Sequence, residues 1–350
     1  MSRECAFVFL LLLGCSAGNY THTLWEHRCD PGSEIFACTA PNFLYKPNQN
    51  HSTLIVPETV RKVRLAYPTD KVIGRRDIIT AYDATLHAAL NRPLAVQITY
   101  VSMEHLEVPL DLEYADFSHN SIERVNAPPV NGSNYALRYL DLGGNGMDRI
   151  DSLSALVNLE TLLLSGNHIS TLDDSVLKSF TKLSTLNLAS NSLVDISFTD
   201  MPASLEFLIL RHNLIYGTLE FTGVNLPALK VLDVYNNLCG VLEVSALLSA
   251  APKLEAIRLD GNYFSVKDAK AILEQLTDAG IEHDKFAKSN REEDDDEDHY
   301  FRTQQKLKVQ EHIISGMLTV VNVCVIGWGF YQVYKSRGST ERGRETSSSV

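Results

Sequence analysis

Two aspartates and two histidines recur at matching places along the chain and could, by type, support chemistry. Asp116 and Asp141 have a similar sequence context, and paired carboxylates can act as a general acid and base. His119 and His212 match in the same way, and histidine is a common metal ligand. We expect the aspartates on an open sheet without a pocket, and the histidines roughly 19 Å apart at one strand spacing per repeat. No phosphate loop, nucleophile elbow or metal-ligand spacing is found, so we predict no enzyme and no cofactor.

A repeated pattern, L-x-x-L-x-L-x-x-N-x-L, must position these side chains. It occurs in seven copies between Leu112 and Phe264, and its asparagines are 25, 22, 24, 22, 24 and 25 residues apart. They are Asn120, Asn145, Asn167, Asn191, Asn213, Asn237 and Asn262. This period is typical of leucine-rich repeats, in which L-x-L forms a short strand and the asparagine hydrogen-bonds neighbouring turns. We predict an α/β solenoid, a horseshoe with a parallel concave sheet, whose repeats and capping helix occupy residues 112–285.

The pattern is weaker upstream, in residues 19–111, which we interpret as an N-terminal cap with degenerate repeats. Val60, Val63 and Leu65 suggest one strand, and a second set suggests another, namely Ala95, Ile98 and Tyr100. Between them, helical spacing predicts a helix over residues 77–91 that ends before a proline.

Downstream, Ser265 is a suitable N-cap for an amphipathic helix that ends at Gly280 and covers the last repeat. Its predicted apolar face contains Val266, Ala269, Ile272, Leu273 and Leu276. Cys239 falls on a core position of its repeat, which favours a small buried side chain over a reactive thiol.

The N-terminus has the layout of a secretory signal peptide, with an apolar run too short to span a bilayer, and we assign it to residues 1–18. Secretion favours a disulfide between Cys29 and Cys38, with two free thiols as the alternative. Asn-x-Ser/Thr sequons at Asn19, Asn50 and Asn131 are consistent with passage through the ER.

The C-terminal part has the features of a membrane anchor. Residues 312–334 are predominantly apolar and long enough for one transmembrane helix, with aromatic and then basic residues after it, which predicts a single-pass type I plasma-membrane protein with an extracellular N-terminus. An acidic stretch within residues 286–311 predicts a juxtamembrane stalk, either a plain spacer or an electrostatic docking site. The tail, residues 335–350, ends with Ser348 and Val350 in a short PDZ-type match.

The net charge of the chain and the outward-facing residues of its strands indicate which kind of partner it binds. Acidic residues outnumber basic ones, 43 to 31, so nucleic acid is an unsuitable partner. Outward positions on successive strands should form columns, and one group of them is rich in the aromatic and arginine side chains of interface hot spots. The predicted binding patch consists of Leu163, Phe207, Ile209, Arg211 and Tyr235. Ordinary surface variation is the alternative, and homo- or hetero-association is left open.

The signal peptide, N-terminal cysteine pair, repeats, capping helix and single span together resemble insect extracellular leucine-rich-repeat proteins. The layout, and the final repeat from Leu254 to Phe264 with its helix, are most similar to the short transmembrane form of the mosquito leucine-rich immune proteins. The resemblance implies a protein-binding receptor or co-receptor in innate immunity. The chain lacks the cysteine-rich motif and coiled coil of longer members, which puts their disulfide-linked partnerships in doubt. A cell-adhesion or developmental role is the alternative.

Overall fold

The computed structural model describes residues 27–28, 45–47, 54–56, 60–66 and 79–284. Several predictions lie outside these residues, and they concern the signal peptide, Cys29, Cys38, Asn19, Asn50, the stalk, the apolar stretch 312–334, and the tail with Ser348 and Val350. None of the described helices combines the length and apolar character that crossing a membrane requires. The chain forms two compact units, one from Met1–Asn191 with Asp200–Leu208, the other from Ser192–Thr199 with Ile209–Val350.

The first unit is organised around a parallel sheet. Its elements in chain order are β1 (His27–Arg28), β2 (Leu54–Ile55), β3 (Lys62–Ala66), β4 (Ala81–Tyr82), α1 (Ala84–Ala89), β5 (Ala95–Thr99), β6 (His105–Glu107), β7 (Tyr114–Asp116), β8 (Val125–Asn126), β9 (Tyr139–Asp141), a 3-10 turn (Asp151–Leu153), β10 (Thr161–Leu163), α2 (Asp174–Ser179), β11 (Thr185–Asn187) and β12 (Phe207–Ile209), whose last residue belongs to the second unit. The strand order is β3-β5-β7-β9-β10-β11-β12. Each strand lies beside the strand of the next repeat, as in a solenoid.

The second unit repeats this arrangement. Its elements are β13 (Tyr216–Leu219), β14 (Val231–Asp233), β15 (Leu238–Leu242), α3 (Val244–Ala250), β16 (Ala256–Arg258), α4 (Val266–Asp278) and β17 (Glu282–His283). Strands β14, β16 and β17 are neighbours in a parallel sheet, and β13 pairs with β15. The predicted parallel-sheet, leucine-rich-repeat solenoid fold is therefore confirmed in both units.

The inward side chains of the strands form the core. Leu140, Leu162 and Leu186 are register partners on β9, β10 and β11, and each is at most 1% exposed. Because side chains alternate across a strand, the residues on either side of each leucine point outward. Cys239 is fully buried and its thiol donates to the Ile215 carbonyl at 3.4 Å, which confirms its predicted core position.

The asparagines hold successive turns together as predicted. Asn167 is typical: its Oδ1 accepts from the Met147 amide at 3.0 Å, and its Nδ2 donates to the carbonyls of Leu142 at 2.9 Å and Leu164 at 3.0 Å. Asn145 has equivalent bonds one repeat earlier. Each buried side chain thus pairs backbone groups that would otherwise be desolvated without partners.

One regular feature of the repeats was not predicted. The residue immediately before each repeat asparagine has a left-handed backbone. The φ angles are His119 56°, Gly144 65°, Gly166 67°, Ser190 55°, His212 58°, Asn236 53° and Gly261 74°. Glycine adopts this region at little cost, whereas other residues are disfavoured there. The sequence signal was glycine at three of these seven positions.

Upstream of the repeats, the two predicted strands and the helix between them are present as β3, β5 and α1, but the bounds of the helix and the register of β5 were predicted wrongly. The helix predicted over residues 77–91 spans only Ala84–Ala89, because Ala81 and Tyr82 pair with β6 and the Asp83 carboxylate caps the Leu86 amide. Tyr100 is 64% exposed instead of lying in the core. Val96, not Ile98, aligns with the inward Ala115, so the predicted strand was displaced by two residues.

The C-terminal helix begins and ends as predicted. Ser265 Oγ accepts from the Asp268 amide at 3.1 Å, and Gly280 has a φ of 73°. Ile272 and Leu276 are buried on the predicted apolar face, but Val266, in the first turn, is 48% exposed. After the helix, β17 adds one further strand beside β16, which the repeat pattern did not predict because this segment lacks the repeat leucines.

Candidate protein-interaction surface

The outward positions of the strands form columns, as the register of the sheet requires. In the first unit, Tyr114, Tyr139, Thr161 and Thr185 are partners in one column. Two residues later, the second column contains Asp116, Asp141, Leu163 and Asn187. The inward residues are nearly identical from repeat to repeat, whereas the outward residues differ in size and charge. The repeats of each unit thus differ on the strand face while their core stays nearly constant.

The predicted patch is divided between the two units. In the first, Leu163 on β10 is half-buried and Phe207 on β12 is 37% exposed. They are not neighbours, because β11 lies between their strands and they occupy different columns.

In the second unit, the predicted residues are closer. Arg211 Nη1 lies 3.9 Å from Asp233 Oδ2, and the exposed Tyr235 ring contacts the His212 ring edge-on, with centroids 5.4 Å apart. The His212 amide also donates to the Tyr235 carbonyl at 2.9 Å. Ile209 is half-buried in this unit. The structure therefore brings together part of the predicted set within the second unit, and a binding role for any of it remains a prediction.

The first unit contains a cluster that the predicted patch did not include. The rings of Tyr114 and Tyr139 are stacked, with centroids 3.9 Å apart and an interplanar angle of 3°. Asp116 and Asp141 follow on the same two strands as register partners. The repeat pattern already places these four residues in matching outward columns. The sequence therefore contained the information needed to predict this cluster.

Burial and charge perturb this cluster. Burial, with a smaller contribution from the neighbouring Asp116 carboxylate, raises the pKa of Asp141, and the hydrogen bond from the Gly143 amide opposes that rise. Burial also raises the pKa of Tyr139, and the Asp141 charge adds to the effect. The two aspartates are half-buried on the strand face, not fully solvated as their place on an open sheet had suggested.

Two other kinds of site were considered from the sequence, a glycosylation site and a metal site. Asn131 is exposed in a turn closed by the Val130–Ser133 bridge, a position open to an attached glycan. Glycosylation there remains a prediction. Among the described residues, no group of three or more histidine, cysteine, aspartate or glutamate side chains could hold a metal ion.

Comparisons with known proteins agree with the fold. Residues 157–215 match the family described as "Leucine rich repeat". Toll-like receptor 9 of Mus musculus is 27% identical over 180 residues, which cover 46% of this chain and 17% of that protein. Tsukushi of Gallus gallus is 37% identical over 170 residues, which cover 44% of this chain and 42% of that protein. The chain thus spans less than half the length of either relative.

A solved internalin of Listeria monocytogenes is similar at 17% identity with a TM-score of 0.48, over 66% of this chain and 69% of that one. The repeat, the parallel strands and the relatives together support a leucine-rich-repeat protein. Proteins of this class are typically non-enzymatic scaffolds that bind other proteins.

Proposed function

We propose that this protein is a single-pass cell-surface receptor or co-receptor that binds a protein partner through its strand face, in innate immune recognition. One observation carries the proposal: leucine and asparagine recur at the inward positions, while each outward column mixes aromatic, aliphatic, polar or charged side chains along the repeats. A face built only to cover the core would not require this variety. Extended strand faces on stacked repeats are the surfaces that such proteins use for binding.

The sequence supports the location. A signal peptide at residues 1–18, sequons, and an apolar stretch at residues 312–334 followed by basic residues are together typical of a type I membrane protein. The immune role rests on the resemblance to the mosquito leucine-rich immune proteins.

The test uses the full chain, tagged after residue 18, on the surface of cultured cells. The tag should be accessible to antibody on intact cells, and cross-linking should capture a protein partner. Replacing Phe207, Ile209 and Tyr235 with alanine should reduce capture at least about tenfold, because truncated hot-spot side chains each cost on the order of 1–2 kcal/mol. Surface expression should be unchanged.

The matched control replaces three exposed valines outside these columns, Val130, Val241 and Val266, with alanine. Capture should persist in this control. Equal capture by both triple variants would refute the predicted patch, and a tag inaccessible on intact cells would refute the receptor.

Expression that rises on microbial challenge would favour the immune role, whereas clustering of transfected cells with one another would favour adhesion.

A further inference from the structure

An exposed aromatic surface on the strand face of the first unit has an open side. Tyr114 is 47% exposed although one face of its ring is covered by Tyr139. Its register partner on the other side is Ala95 on β5, whose methyl group is too small to cover a phenol ring. Ala95 therefore leaves the second face of Tyr114 uncovered by its register partner, in keeping with the exposure of this ring.

Two carboxylates lie beside this ring. Asp116 and Asp141 are two residues further along the same strands, on the same face, about 7 Å from the tyrosine positions. Asp116 accepts from Gln97 Nε2 at 2.6 Å, from the Ser118 hydroxyl at 2.7 Å and from the Ser118 amide at 3.0 Å. Asp141 accepts from the Gly143 amide through Oδ1 only. The hydrogen bonds hold both groups in place and leave about one acceptor site on Asp116 and about three on Asp141, because a carboxylate has about four lone-pair sites.

The negative charge of this pair is not matched by an ion pair in the described part of the chain. Other strand-face acids differ: Asp233 lies beside Arg211, and Glu282 beside Arg258 at 2.6 Å. Among the described residues neither Asp116 nor Asp141 forms a salt bridge. Lys62 and Arg64 on β3 share the columns of Tyr114 and Asp116 but lie two strands from β7, with Ala95 and Gln97 between.

The other end of these strands also carries an aromatic pair. The rings of Tyr100 and His119 are stacked, with centroids 4.4 Å apart. His119 lies over Gly144, where a Cβ atom would come within 2.6 Å of its Nδ1. Asp116 thus has an aromatic residue before it in the chain, Tyr114, and another after it, His119, each stacked on a neighbouring ring.

We propose that this cluster, defined by Tyr114, Tyr139, Asp116 and Asp141, binds an arginine side chain of a protein partner. A guanidinium group is planar and can stack on the open face of Tyr114 while it donates to the carboxylates. Lysine has the same charge but no plane to stack. The inference rests on the proposed function, since it names the chemistry of the partner that the strand face recognises.

The experiment measures fluorescence anisotropy of a labelled twelve-residue peptide of alternating arginine and serine, titrated with the purified full chain at about 50 mM salt, where charge attraction is weakly screened. A lysine peptide keeps the charge, and a citrulline peptide keeps the shape without it. The arginine peptide should bind several-fold more tightly than the lysine peptide, and the citrulline peptide should not bind.

Three variants locate the site. Asp116→Asn with Asp141→Asn should weaken binding of the arginine peptide about tenfold, because both charges are lost. Tyr114→Leu should weaken it about threefold to fivefold, the value of an exposed cation–π contact, and should remove the preference over lysine. The control, Glu123→Gln with Asp148→Asn, makes the same charge change at exposed positions three residues after Asn120 and Asn145, and should leave binding unchanged. Circular dichroism and thermal unfolding confirm that each variant is folded.

Two outcomes overturn the inference: equal weakening by the two charge variants, which indicates nonspecific attraction, or equal binding of the arginine and citrulline peptides. Absence of peptide binding while the cell-surface chain still captures its partner refutes this inference alone. Loss of both peptide binding and partner capture refutes the proposed function as well.

Discussion

The interior turns of the repeats and the outward strand face use the same residue type for opposite purposes. Asn167, in the interior, is 4% exposed and its amide group bonds three backbone groups in two successive repeats. Asn187, on the strand face, is half-exposed and accepts one bond, from the Ala189 amide at 3.0 Å. The comparison shows that the stability of this fold depends on where a polar group is buried, and that the outward columns are free to change.

The largest expected effect separates these two asparagines directly. Asn167→Ala should lower the free energy of unfolding by about 3 to 5 kcal/mol, because it leaves a buried amide and buried carbonyls without partners. Asn187→Ala should cost only about 0.5 to 1 kcal/mol, the value of one hydrogen bond open to solvent. Urea unfolding followed by circular dichroism measures both. Equal losses would mean that the interior asparagines are not what joins the turns.

A smaller effect is expected in the column of left-handed residues beside the interior asparagines. Gly166 has a φ of 67°, and a Cβ there would meet only Gly144 atoms, at 3.6 Å or more. Gly166→Ala should therefore cost about 1 kcal/mol from backbone strain alone, after the gain from a less flexible unfolded chain.

The control for that variant is Gly146→Ala. Gly146 lies outside the left-handed region, and its Cβ would be 3.4 Å from Glu123 Cγ, an ordinary contact. It should change the free energy of unfolding by no more than about 0.5 kcal/mol, or slightly stabilise the protein. A Gly166→Ala variant as stable as Gly146→Ala would contradict the expected backbone strain at this position.

The smallest effect concerns a buried polar group outside the asparagine column. His87 is 1% exposed. Its Nδ1 lies 2.7 Å from the Tyr82 hydroxyl, and its Nε2 lies 3.0 Å from Asp111 Oδ1. The other oxygen of Asp111 forms an ion pair with Arg92. Burial lowers the pKa of His87 below its ordinary value of 6.5, although Asp111 opposes this.

Because the folded state then binds the proton less readily than the unfolded state, stability is retained above pH 6.5 and decreases as the pH falls below it. The urea midpoint should be lower at pH 5.5 than at pH 7.5. The His87→Gln variant, which cannot titrate, should lose less stability over this interval. An identical pH dependence in the two proteins would contradict the assignment.

The sequence predicted most where one residue type recurs at a fixed spacing. The inward leucines, the asparagine ladder and the Ser265 cap could be predicted because each is a local pattern with one physical solution. The helix over residues 77–91 failed because apolar spacing in a short window suits either a helix or a buried strand, and pairing with β6 decided the matter for Ala81 and Tyr82. Tyr100 failed because, without a repeat asparagine to mark the register, two alignments of the strand were compatible with its apolar residues.

By itself, the sequence determined that the chain folds into stacked parallel strands, because only neighbouring repeats can bury the leucines that each repeat leaves exposed. It also determined which residues point outward, since side chains alternate along a strand. Only the tertiary structure decided which outward residues meet. The stacking of Tyr114 on Tyr139, and the burial that raises the pKa of Asp141, depend on distances between strands about 25 residues apart in the chain, which local spacing does not define.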